Sequence, residues 1–143
     1  MTAMSSLDNS IAKFLSTQSD TTREECDRVA HSILSANASP VSMQGCFSYT
    51  IADHSRLVQF RNPDFPLDIE VLRQARSIHG PLVPATTYHG QIGKGRPLLV
   101  YIIEKLPGIT YMEYDVRSGL DQSLDEHQFK RQQTLVEKFA RYV

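Results

Sequence analysis

The spacing of apolar positions changes period several times along this chain, and each change predicts an element. Residues 1–19 are rich in Ser, Thr, Asn and Gln around a small apolar group, Ile11, Phe14 and Leu15. That pattern predicts a flexible N-terminus, either frayed or making a turn or two of helix. TREECDRVAHSILSA then places Cys26, Val29, Ala30 and Ile33 at helical spacing. Thr21 or Thr22 caps it, and Glu24 stands three after Thr21 as in a capping box, so a helix with one buried face is expected. After Asn37 to Pro40 the residues become β-branched and aromatic. VSMQGCFSYTI and RLVQFRN read as two strands joined by the polar ADHS turn, a hairpin that Asn62-Pro63-Asp64 ends.

A second helical pattern follows in LDIEVLRQARSIHG, where Leu67, Val71 or Leu72, Ala75 and Ile78 share a face and Gly80 is the stop. Leu82 to Tyr88 reads as extended, Ile92 to Pro97 as a turn, and Leu98 to Ile103 as a continuous apolar strand suited to the middle of a sheet. Ser123, with Glu126 three later, opens a last helix that carries Phe129, Val136, Phe139 and Val143. The fold class is α+β.

Composition narrows the partners. At 143 residues and 41% apolar, the chain suits one domain with a real core better than two. A formal charge of −1 with 22% charged residues gives no general basic field, so nucleic acid is not an expected partner. The longest apolar run, around Leu98 to Ile103, falls far short of the roughly 20 residues that span a bilayer. No basic n-region precedes an apolar core in MTAMSSLDNSIAKFL, so a cytoplasmic protein is expected. Cys26 and Cys46 lie in apolar-patterned surroundings outside any C-x-x-C, which predicts two buried thiols in a reducing compartment.

Helix, hairpin, helix, one or two strands, a Pro-Gly connector and a helix is the order of a kinase-like small lobe. MQGCFSYT, LVQFRN, EVLRQARSIHGPLVP and LVYIIEKLPGITY resemble, in that order, the N-terminal half of the aminoglycoside phosphotransferase and choline kinase-like family, especially its fungal branch. The resemblance covers roughly Cys26 to Tyr114. It implies an antiparallel sheet with a packed helix over residues 20–106. Residues 107–143 are then a hinge or linker and the first helix of a C-terminal lobe that lies outside this sequence.

The resemblance also assigns residues. It implies ATP as cofactor, bound at a hinge where Ile103 flanks the adenine while the Glu104 carbonyl and the Leu106 amide meet its polar edge. Peptide groups are available there because the strand has ended, and the side chains of Glu104 and Lys105 are expected to face solvent. Gln44 to Ser48, with Gly45 and Ser48, takes the place of the loop over the ATP phosphates, where small residues let amides approach an anion. Arg61 stands where many such kinases carry Lys. Its planar fork can bridge phosphate oxygens with a geometry unlike that of an ammonium. Glu70 is the implied carboxylate partner, with Asp68 second and itself a candidate helix N-cap. Each piece also has an ordinary structural reading: a strand-to-loop exit at EKLPG, a β-bulge at Gly45, and a surface ion pair worth little at Arg61 and Glu70.

Such kinases place a His-Gly-Asp-x-x-x-x-Asn segment after the hinge. Here His79-Gly80-Pro81-Leu82 imitates only its start, with Pro81 where the acid belongs and Thr86 where the Asn belongs, and it precedes the hinge. No catalytic residue and no magnesium ligand is therefore assigned within these residues, and any magnesium arrives with the nucleotide. The expectation is an ATP-binding lobe that transfers no phosphate by itself. Two alternatives remain: a non-catalytic, pseudokinase-like binding or regulatory module covered by a partner protein, or an α+β domain unrelated to kinases. Exposed Phe129, Val136, Phe139 and Val143 would favour a surface that needs cover.

Overall fold

The structure, a computed structural model, describes residues 4–108 and 126–141. Its architecture is α+β. The chain divides into two compact units, Met1–Leu106 and Pro107–Val143.

The first unit begins with α1 (Ser6–Gln18), capped by the Ser5 side chain, which accepts from the Asp8 amide. This helix is longer than the turn or two expected, and it is a core element where a flexible lead was predicted, because Ile11, Phe14 and Leu15 are all buried. The second helix, α2 (Arg23–Ile33), starts on a capping box between Thr22 and Glu25, one residue later than the Thr21 and Glu24 alternative. Cys26 and Ala30 form its buried stripe. An ion pair from Arg23 to Asp8 at 2.8 Å joins the two helices.

Five strands form one antiparallel sheet: β1 (Ser39–Pro40), β2 (Ser48–Ala52), β3 (Arg56–Arg61), β4 (Thr86–Ile92) and β5 (Leu98–Glu104), in the order β1-β2-β3-β5-β4. The expected hairpin is β2–β3. Its first strand begins only at Ser48, since residues 41–47 are loop. The β5 run lies between β3 and β4, which explains why it is apolar without alternation. Helix α1 packs on β2 and α2 on β3, so Tyr49, Ile51, Val58, Phe60, Leu98 and Val100 make the core face.

Helix α3 (Ile69–His79) separates β3 from β4. Asp68 is its N-cap, accepting from the Val71 amide, and Gly80 at φ 60° ends it, a left-handed turn that glycine adopts without a Cβ penalty. None of its side chains is fully buried: Leu72 and Ala75 are half-buried, while Val71 and Ile78 from the expected stripe are exposed. A single 3₁₀ turn (Gly80–Leu82) leads on to β4.

In the second unit, α4 (Glu126–Ala140) presents Phe129, Val136 and Phe139 at 58, 67 and 72% exposure. Ser123 and Val143, assigned to this helix by the sequence pattern, lie outside the described residues. Among the described residues no helix is long and apolar enough to cross a membrane.

Candidate functional site

Strand pairing sorts the sheet into rungs. Ser48, Arg61 and Leu99 lie opposite one another on β2, β3 and β5; Thr50, Gln59 and Tyr101 form the next rung on that face, and Ala52, Leu57 and Ile103 the next. Alternation along each strand puts these three rungs on the face opposite the α1–α2 core. Three of the sequence-assigned residues, Ser48, Arg61 and Ile103, therefore share one face. Ile103 stands four residues along the strand from Leu99, about 13 Å away at strand rise.

The loop before β2 is held by side-chain amides. β1 covers only Ala52 and Ile51 of β2, which leaves Thr50 without a strand partner on that edge. The Val41 amide and the Gln44 side chain fill the gap. Gln44 Oε1 accepts from the Thr50 amide at 2.9 Å, and Gln44 Nε2 donates to the Thr50 carbonyl at 3.0 Å and the Val41 carbonyl at 3.0 Å. The primary amide thus stands in for a peptide group and satisfies an edge that water would otherwise reach. Next to it, a Cβ on Gly45 would come within 2.9 Å of Ser48 Oγ, so a side chain there would require the Ser48 hydroxyl to turn aside. Ser48 itself is buried against the loop.

Arg61 and Glu70 are given other partners. Arg61 Nε donates to the Phe65 carbonyl at 2.8 Å and Nη1 to Gln59 Oε1 at 3.0 Å. Gln59 in turn donates to Thr50 Oγ1 at 3.2 Å, so Arg61, Gln59 and Thr50 form a polar chain across two rungs. Glu70 lies in the first turn of α3, clasped by Arg73 Nε at 3.0 Å and Nη2 at 2.6 Å and by Gln74. The Arg73 guanidinium holds its carboxyl below the usual range. The pair assigned by resemblance is not joined in this arrangement.

At the other end of the face the strand exit is tied down. Of the two side chains expected to face solvent, Lys105 is exposed, whereas Glu104 is half-buried and tied into the fold, which corrects the expectation for Glu104. Glu104 Oε2 accepts from the Ala85 amide at 2.9 Å and from Arg76 of α3 at 2.9 Å, and these contacts, the amide foremost, lower its pKa. Lys105 Nζ donates to the Asp53 carbonyl at 3.2 Å. The Glu104 amide is bonded to the Ala85 carbonyl and the Lys105 amide to the Ser55 carbonyl. Beyond them come Leu106, half-buried, then Pro107 and Gly108. An open groove of about 340 Å³ lies beside this exit, lined by Arg56, Arg76, Thr87, Ile102 and Glu104.

Of the two thiols expected to be buried, only Cys26 is. Cys26 is buried and burial pushes its thiol up to about 12, whereas Cys46 is exposed on the loop; both are free thiols. The sequence assigned no side-chain partner to Gln18, Gln44, Gln59 or Asn62, because an amide side chain announces none until the fold supplies one. Among the described residues no cluster of three His, Cys, Asp or Glu side chains is placed to hold a metal. No protein-family model, curated protein or solved structure matches this chain.

Proposed function

We propose that residues 20–106 form the nucleotide-binding small lobe of an aminoglycoside phosphotransferase-like small-molecule kinase, which binds ATP for phosphoryl transfer to a hydroxyl. The observation that carries this reading is one sheet face with a phosphate-type end and a base-type end. Ser48 and Arg61 sit on one rung beside the Gly45 loop, and Ile103 sits two rungs away where the strand leaves the sheet. The helix between β3 and β4 and the five-stranded antiparallel sheet agree with the resemblance carried by MQGCFSYT, LVQFRN and LVYIIEKLPGITY.

The residues present fit such a ligand in part. Arg61 offers its guanidinium to the α- and β-phosphates while Gln59 and the Phe65 carbonyl fix its plane. Ile103 packs on the adenine, and the Glu104 carbonyl and Leu106 amide meet its polar edge. Glu70 is held by Arg73 and not by Arg61, so Gln59 orients the guanidinium. ATP, with its magnesium, supplies the transferable phosphoryl group; these side chains bind and orient it.

Thermal unfolding with increasing Mg·ATP tests the reading. The expected result is a saturable rise worth about 2.7 kcal/mol at a hundredfold excess over Kd, lost in Arg61→Met while the unliganded melting temperature holds. No rise in the wild type, or an equal rise in the variant, overturns it. A second reading, a pseudokinase-like binding or regulatory module covered by a partner protein or a further lobe, is favoured by the exposed Phe129, Val136 and Phe139 of α4.

A further inference from the structure

Helix α1 precedes the whole stretch that carries the family resemblance, yet its last residue reaches the loop assigned to the phosphates. Gln18 Nε2 donates to the Cys46 carbonyl at 2.9 Å, and Gln18 Oε1 accepts from Asn62 Nδ2 at 2.8 Å. Asn62 follows Arg61 directly and holds both sides of the same junction. Its backbone amide donates to the Phe47 carbonyl at 3.0 Å, its carbonyl accepts from the Phe65 amide, and its Oδ1 accepts from the Asp64 amide at 2.9 Å. The Phe47 and Phe65 rings stack at 3.9 Å across the junction. Every donor in this set faces an acceptor, which allows one orientation of each side-chain amide.

We propose that Gln18 is a positioning residue that braces the loop of Gly45, Cys46 and Phe47 against the Arg61–Asn62 end of β3, so that phosphate binding depends on α1. This rests on the nucleotide-lobe reading above. The physical reason is preorganisation. A loop must hold its amides at fixed places to bind an anion without losing affinity to ordering, and Cys46 and Phe47 are exposed residues with little burial to hold them. Two bonds from one rigid helix end, converging on both the loop and the residue beside Arg61, supply that order. Because the brace acts at the phosphate end and Ile103 lies two rungs away, its loss should leave binding at the base end unchanged.

The test compares wild type, Gln18→Ala and Asn62→Ala in the full chain for Mg·ATP affinity, adenosine affinity, melting temperature and amide hydrogen exchange at residues 45–47. The expected result is a loss of about tenfold in ATP affinity with adenosine affinity unchanged. Faster exchange at 45–47 in the unliganded variants, and a double variant no worse than either single one, complete it. Equal loss of ATP and adenosine, or ATP affinity unchanged in Gln18→Ala, overturns the inference. If the wild type binds no ATP, the nucleotide reading fails on its own. Exchange then decides the brace: faster exchange at 45–47 in Gln18→Ala upholds it as a loop-positioning contact, and unchanged exchange removes it.

Discussion

Asp53 shows how much one buried side chain arranges. It opens the turn between β2 and β3, where its carboxylate accepts from the amides of Ser35 at 3.0 Å, Ser55 at 2.8 Å and Arg56 at 2.8 Å. Those amides, Ser35 first, drive its pKa well below the ordinary 3.8. A depressed carboxyl pKa means that the ionised form favours the fold. Its contribution is complete above the ordinary value and fades as pH falls below that value toward the folded one. Asp53→Asn is therefore expected to lower the urea midpoint at about pH 7 and to shrink the further drop between about pH 4 and pH 2. Asp8, Asp20, Glu70 and Glu104 are lowered as well, so that acid limb flattens without vanishing. Midpoints that shift equally at every pH would leave the turn to uncharged hydrogen bonding.

Single helices and strands carry a different lesson. Helix α1 reads as weak in sequence, with no basic residue in its last turn, and its stability comes from Ile11, Phe14 and Leu15 against Tyr49, Phe60 and Leu98. A second tie closes its far end, where Arg96 of the β4–β5 turn donates to the Thr17 and Ser19 carbonyls and to Asp20. Phe14→Ala is expected to cost about 3–5 kcal/mol in denaturant unfolding, because it leaves a cavity in a face shared by two layers. Phe139→Ala on α4, at 72% exposure, is expected to stay within about 0.5 kcal/mol. A small loss for Phe14→Ala would mean that α1 docks loosely. Helices α2 and α3 were legible from sequence through their caps and stops, since Thr22, Asp68 and Gly80 act within a turn of their own positions.

Across the whole molecule, burial is uneven. The core of the first unit is built from residues between Ile11 and Val100, and in the second unit none of the described side chains of α4 is fully buried. Phe129, Val136 and Phe139 fall within one arc of α4 at helical spacing, on a chain with a net charge of −1 and an isoelectric point near 6.5. Low net charge and exposed aromatic rings favour association. Replacing Phe129 and Phe139 together by Ser is expected to reduce binding of an apolar dye to the native protein and light scattering near the isoelectric point. Unchanged dye binding would show that these rings are covered in solution.

The sequence by itself determined the α+β class, the second helix and its capping region, the β2–β3 hairpin, the span of α3 from Asp68 to Gly80 and the interior strand β5. These are signals of period, cap and turn, and they act over a few neighbouring residues. Only the tertiary structure decided that α1 belongs to the core, that Cys46 is exposed, and that Gln44 completes the edge of β2. It also decided that Glu104 and Lys105 are tied into the fold and that Arg61 is oriented by Gln59. Gln44 bonds Thr50 across six positions and Gln59 bonds Arg61 across two, on a register that only the sheet sets, while other contacts reach from Gln18 to Cys46 across 28 positions, from Arg76 to Glu104 across 28 and from Arg96 to Thr17 across 79. A side chain that bonds a backbone group so far along the chain leaves no period to read, because its partner exists only once the sheet and helices have brought the two together.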